Sequence, residues 1–197
     1  MLILLLKQFF MPIAETPTRE DKIMSLSASC FVVLVVSSLT ATLPAIAAED
    51  DKSAAGDKAA IQALERTYNE GFNAKDVDKI MSCYAPGKQL FVFDVVPPRE
   101  YKGWDAYKKD WQDLFAAFPG PVTNELSDQT ITVIGNVAYG HNIQTGEFTR
   151  KDGSKIKVVA RTTDIYRKKD GKWLIVEEHN SVPVDLDTLK PDLLSKP

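Results

Sequence analysis

The chain has 197 residues, 24 Lys and Arg against 27 Asp and Glu, a formal net charge of −3 and 44% hydrophobic residues. That balance offers no basic surface for nucleic acid or an anionic membrane. The two His and two Cys lack metal-ligand spacing, which excludes a zinc motif and leaves the expectation of no metal.

The front of the chain reads as a leader. Cys30 to Leu43 is an apolar run, Ala45-Ile46-Ala47 is an A-x-A cleavage signal, and Glu49-Asp50-Asp51 follows it, with Arg19 and Lys22 upstream. This predicts a signal peptide over residues 1–47, too short for a membrane span, and a secreted or periplasmic mature protein free of the membrane. The competing reading is an uncleaved anchor. Glu15, Glu20 and Asp21 precede the apolar run, so translation from Met24 is an alternative, with residues 1–23 as an upstream extension. Cleavage after Ala47 leaves 197 − 47 = 150 residues, the size of one ordinary domain. It also removes Cys30, so Cys83 has no partner for an intramolecular disulfide, and its apolar neighbours suggest a small buried hydrophobe.

Residues 48–56 read as a flexible polar lead-in, 57–184 as the domain and 185–197 as a surface tail. A first helix is expected from Asp57 to Asn73, because Ile61, Leu64, Tyr68 and Phe72 form one apolar stripe. Tyr68 is thus an inward phenol, either a core residue or a functional one. Asp76 caps a short second helix with Val77, Ile80, Met81 and Tyr84 on its apolar face. Gln89 to Val96 reads as a strand, and Asp94 inside LFVFDVV is costly unless hydrogen-bonded, protonated or facing a cavity. Pro97-Pro98 ends that strand. A third helix, Gly103 to Phe118, carries an aromatic stripe whose Tyr107, Trp111 and Phe115 would wall an apolar pocket.

The remainder alternates as strands: 123–134, a Gly135-Asn136 turn, 137–149, a turn at 151–154, then a hairpin from Lys155 to Val184 around Asp170-Gly171. His141 reads as a lone strand histidine. In the hairpin a three-residue loop, Lys169-Asp170-Gly171, would set Arg161 opposite His179 and Thr163 opposite Glu177. Asp164 and Asn180 would share the other face. A two-residue loop would instead stack Asp164 with Glu177 and His179, and the first register is preferred because it avoids pairing acids. On it, Arg161, Glu177 and His179 form a second polar cluster that braces the sheet or a dimer contact. Three helices followed by strands argue an α+β fold, helices against one face of a curved, mostly antiparallel sheet.

The order of elements, with R-x-T-x-x-Y-R-K-K-D-G-K-W-L-x-V-x-x-H-x-S from Arg161 to Ser181, resembles the nuclear-transport-factor-2-like superfamily. The likeness is nearest to its SnoaL-like and ketosteroid-isomerase-like branches and spans Ala59 to Val184. It implies an NTF2-like cone. The isomerase resemblance places Tyr68 on that family's helix-one tyrosine and Asp94 on its base. Asp164 falls on its second acid if the next turn is one residue shorter. Asp94 is followed by Val95 rather than the isomerase's proline, and its late tryptophan corresponds to Asn180. The similar association domain of calmodulin-dependent kinase II carries pocket arginines at the positions of Gln144, Asp164 and Asn180. Those three are therefore expected to line the pocket, and their neutral or acidic character argues against an anionic ligand there. The resemblance implies a homodimer and a small apolar or polar-neutral ligand, with no cofactor. Two functions stay open: an isomerase or cyclase/lyase working by general acid/base catalysis at Asp94, Tyr68 and Asp164, or a non-catalytic ligand-binding or interaction module.

Overall fold

The computed structural model describes residues 44–195, so the predicted leader up to residue 43 lies outside the described residues. The first helix, α1, spans Pro44–Ala74. It begins well before the predicted Asp57 and runs through residues 48–56, where a flexible lead-in was expected. Proline suits the first helical turn, and Ala45, Ala47, Ala48, Ala54 and Ala55 have the highest helix propensity, enough to carry the helix past Gly56. The predicted cleavage point after Ala47 falls within this helix.

The second helix, α2, spans Val77–Met81 and is capped by Asp76, whose carboxylate accepts from the Lys79 N–H at 2.9 Å. A 3-10 turn over Gly87–Gln89 follows. The strand expected over residues 89–96 is only Phe91–Phe93 (β1), paired with a short strand Tyr101–Lys102 (β2) that the sequence pattern does not reveal. After Phe93 the Asp94 carboxylate takes the Val95 N–H at 2.6 Å, and Pro97-Pro98 has no N–H to offer a ladder. Helix α3 is Trp104–Ala117. Four long strands complete the domain: β3 Val122–Ile134, β4 Val137–Thr149, β5 Lys155–Lys169 and β6 Lys172–Ser181.

The six strands form one mixed sheet in the order β2-β1-β6-β5-β4-β3, antiparallel except for the parallel β1–β6 pair. It is the expected α+β cone, with helices packed on the inner face of a curved, unclosed sheet. Two bulges shift the ladder, one in β3 between Ser127 and Thr130 and one in β6 at Val176. Bulges of this kind bend a sheet and increase its twist. The tail forms a two-residue ribbon, Val184–Asp185 (β7) with Lys190–Pro191 (β8). The Leu193 carbonyl accepts from the Val159 N–H at 2.7 Å, along the part of β5 that outruns β6.

The hairpin departs from the preferred register. Its loop has two residues, Asp170 and Gly171, at φ 50° and 78°, with Lys169 opposite Lys172. Positive φ at both central residues gives the turn whose twist matches the flanking strands. Val176 is then an extra residue, since Tyr166 faces Ile175 while Ile165 faces Glu177. Arg161 lies opposite Ser181 rather than His179, and Thr163 opposite His179 rather than Glu177. The bulge restores the parity that a two-residue loop alone would have inverted. Trp173 and Ile175 face inward before it, and Glu178 faces inward after it.

Helix α1 is fastened to this hairpin at Asp57, which pairs with Lys168 at 2.6 Å and accepts from the Trp173 indole N–H at 3.0 Å. Lys168 and then Trp173 hold the Asp57 carboxyl below its ordinary value. Its buried stripe of Ile61, Tyr68 and Phe72 meets Trp111, Tyr84 and Phe148 in a run of edge-on aromatic contacts. Cys83 is buried as expected, and burial pushes its thiol up to about 12.

Candidate functional site

The inner face of the sheet is polar where a core would ordinarily be apolar. Asn142 on β4, Thr162 and Asp164 on β5, and Glu178 on β6 are all buried, and Asn180 is half-buried. Pairing aligns them in two rows across the strands, Asn142–Thr162–Asn180 and Gly140–Asp164–Glu178. Gly140 leaves room in the second row: a Cβ there would lie 2.8 Å from the Thr130 carbonyl and 3.3 Å from the Tyr166 hydroxyl. A glycine is what lets Tyr166 lie across this row.

Glu178 is the hub. Its carboxylate accepts from the hydroxyls of Tyr84 at 2.6 Å and Tyr107 at 2.8 Å, and from the Asn180 amide at 2.7 Å. Thr162 donates to Asn180 at 2.6 Å and so fixes which end of that amide faces Glu178. Burial raises the Glu178 carboxyl, while Tyr84, Tyr107 and Asn180 pull it back. Its cross-strand partner Asp164 stands well above the ordinary range through burial and the charges of Glu65 and Glu178. The two acids are cross-strand neighbours; Asp164 Oδ2 accepts from the Tyr166 hydroxyl at 3.4 Å, and Asp164 Oδ1 is buried without a hydrogen-bond partner. Neighbouring buried acids resist ionising together, and Asp164, the more strongly raised, is the one that keeps its proton.

Two more carboxyls border this pair. Glu65 is only 2% exposed, accepts from Tyr166 at 2.7 Å, and is raised to about 7 by burial and the Glu178 charge. Asp94, half-buried at the end of β1, is raised to about 7 by burial and then by Glu178. No Lys, Arg or His hydrogen-bonds or ion-pairs with any of the four among the described residues. Tyr68 donates a long hydrogen bond, 3.3 Å, to Gln144, which also accepts from Asn124 at 3.1 Å. Burial and then the charges of Glu178, Glu65, Asp164 and Asp94 keep the Tyr68 phenol protonated. Trp111, stacked edge-on to Tyr68 with ring centroids 6.0 Å apart, has a buried indole N–H without a partner.

Of the residues singled out in the sequence, Tyr68, Tyr107, Trp111, Gln144, Asp164 and Asn180 share this interior, with Asp94 at its edge. Phe115 packs behind Trp111 and Phe72. The apolar lining expected for a pocket is found only on that helix side; the sheet side is a hydrogen-bonded network. Two surface clefts open elsewhere, and neither is lined by a residue of the network. Arg161, Glu177 and His179 lie exposed on the outer face, and no hydrogen bond or ion pair joins them among the described residues. No bracing contact forms among them within the described residues, because the two-residue loop and the bulge together set His179 opposite Thr163, beside the Phe93 ring at 5.4 Å. His141 is likewise exposed, its ring 2.8 Å from the Thr130 hydroxyl.

Glu65 and Glu178 carry the electrostatics, yet neither was singled out in the sequence. The signal for Glu65 is its place on the α1 stripe, four residues after Ile61 and three before Tyr68. Among the described residues no group of three or more His, Cys, Asp or Glu is placed to hold a metal ion. No helix among them is long and apolar enough to cross a membrane.

The model of the SnoaL-like domain matches residues 61–185. The chain belongs to the SnoaL-like domain family, within the NTF2-like superfamily. Among solved structures it is similar to an NTF2-like protein of unknown function from Pseudomonas putida KT2440, at 26% identity and a TM-score of 0.65, covering 73% of this chain and 98% of that one. An NTF2-like superfamily protein from Salmonella enterica serovar Typhimurium LT2 matches at 18% identity and TM-score 0.58, over 64% and 90% of the two chains. A protein of Novosphingobium aromaticivorans DSM 12444, provisionally named a scytalone dehydratase, matches at 15% identity and TM-score 0.59, over 71% and 95%. No protein with a curated function is significantly similar.

Proposed function

We propose that this domain binds a small neutral molecule against the carboxyl network and moves a proton next to the molecule's carbonyl group, without a cofactor. The observation that carries this is a half-buried carboxyl at the edge of the network, Asp94, poised near neutrality at about 7 beside the buried Asp164 and Glu178, both raised. A base is most effective when its pKa lies near the working pH. Asp94 takes the proton from carbon. The Tyr68 hydroxyl, on a long bond to Gln144, and the unpartnered Trp111 N–H are the donors available to a developing enolate. Preorganised donors of this kind are worth about 3–4 kcal/mol each in a dry site. Asp164, held protonated beside Glu178, limits the charge buried in the interior.

The test is isomerisation of a panel of β,γ-unsaturated ketones to conjugated enones, followed by ultraviolet absorbance. Activity should rise with pH through about 7 as Asp94 loses its proton. Asp94→Asn should abolish it, and Tyr68→Phe should cost on the order of 100-fold. Full activity in Asp94→Asn rules this mechanism out. A second reading, a non-catalytic ligand-binding or interaction module, is favoured by the surface clefts that open away from Asp94. Ligand-induced shifts at Tyr68 and Asn180 without turnover would select it.

The leader makes this an exported protein, secreted or periplasmic, and N-terminal sequencing of the exported form should begin at or near Ala48. Retention of Cys30 would overturn that. The outer β3–β4 face, with Ile134, Val137 and Tyr139 exposed, supports a homodimer.

A further inference from the structure

One cleft has nothing to do with the interior network. It has a volume of about 320 Å³ and lies between the chain at Ala85–Gln89 and the outer face of the β5–β6 hairpin. That volume falls at the small end of the range for ligand sites, roughly 300–1,000 Å³. Its floor is apolar, made by Ala85, Leu174 and Val176, and its rim carries three cations, Lys88, Arg167 and Lys169. No carboxylate lines it.

The cations are arranged by the fold rather than scattered. Arg167 and Leu174 are cross-strand partners on the outer face, so a guanidinium stands directly beside an apolar side chain. Val176 reaches the cleft as the extra residue of the bulge that turns Glu178 inward. Lys88 comes from the 3-10 turn, and that wall is anchored because the Ala85 N–H donates to the Ile175 carbonyl at 2.8 Å. Their neighbour Lys168 is paired with Asp57, and Lys79, Lys102, Lys108, Lys109 and Lys155 also have acidic partners. Lys88, Arg167 and Lys169 have none among the described residues. On a chain of net charge −3, three unpaired cations over an apolar floor form a local field that recruits an anion.

We propose that this cleft is a second binding site, for a small amphipathic anion whose carboxylate or phosphate head meets Lys88, Arg167 and Lys169 while its apolar body lies on Leu174 and Val176. Arginine supplies a fork for either head group. The site is on the opposite face of the sheet from Asp94 and stands whether or not the interior is catalytic.

The test is amide NMR of the full chain titrated separately with octanoate, octyl phosphate, octanol and inorganic phosphate. Octanoate or octyl phosphate should shift Lys88, Arg167 and Leu174, and the better of the two identifies the head group. Octanol and inorganic phosphate should each bind at least about tenfold more weakly, because each lacks one half of the recognition. Lys88→Gln with Arg167→Gln should weaken the anion about tenfold and leave ketone isomerisation unchanged. The proposal is overturned if octanol matches octanoate, if the double variant binds as well as wild type, or if neither octanoate nor octyl phosphate binds.

Discussion

Three neutral donors surround a single buried carboxyl, Glu178, and its charge raises the carboxyls of its neighbours. Tyr84→Phe would strip one donor from it at a cost of about 1–3 kcal/mol, read from chemical denaturation. The pH dependence follows from the raised carboxyls. Glu65 and Asp94 hold protons to about 7 in the folded chain, whereas in the unfolded chain they release them near 4. The stability they contribute is full below the unfolded value and is lost as pH rises through about 7. Asp57, held low by Lys168 and Trp173, acts in the opposite sense, contributing above its unfolded value and losing that contribution as pH falls. The thermal midpoint should therefore be highest in mild acid and decline towards pH 8. Glu65→Gln, which keeps an acceptor for Tyr166, should flatten that decline and recover up to about 3 kcal/mol at pH 8. A midpoint that climbs steadily from pH 5 to 8 would contradict the assignment. Asp94 was legible in the sequence because an acid interrupts an apolar run. Glu65 was hidden because Leu64 fills the same stripe, and an acid beside Arg66 on a helix looks solvated.

Among the elements, the β5–β6 hairpin decides which side chains meet. The turn is legible from Asp170-Gly171, and its two-residue form needs φ near 78° at Gly171. Gly171→Ala should destabilise by about 1 kcal/mol, while Asp170→Asn should be neutral or better, both measured by urea unfolding. The bulge was not legible. Val176 is a good strand residue with no Gly or Pro to mark it, and an uninterrupted ladder would leave Glu177 rather than Glu178 beside Asp164. Tertiary demand explains it: Trp173 and Ile175 belong in the core, and so do the groups that serve Asp164, and only an extra residue satisfies both. The link between α1 and this hairpin is equally specific. Asp57→Ala removes an ion pair and an indole hydrogen bond together, and should cost about 1–2 kcal/mol.

For the whole molecule, most of the architecture follows from periodicity: aromatic stripes for α1 and α3, alternation for four long strands, and short turns that force antiparallel neighbours. What periodicity misses is order without pattern, namely the two-residue strand β2, the pairing of β1 with β6 and the early start of α1. Those depend on contacts distant in sequence or, for α1, on alanine propensity where no apolar stripe exists. The proposed homodimer should appear as twice the chain mass in sedimentation, and Tyr139→Glu should return it to monomer without loss of fold. A site built from four carboxyls, with no cation beside them among the described residues, makes the central claim one about protons. Carbon-detected NMR titration of the side-chain carboxyls from pH 4 to 9 tests it most directly. Asp94 and Glu65 should titrate near 7, and Asp164 should remain protonated beyond them and titrate lower, though still above the ordinary range, in Glu178→Gln. If all four carboxyls instead titrate near 4, as in an unfolded chain, the interior is an ordinary solvated surface and the proton-transfer account is wrong.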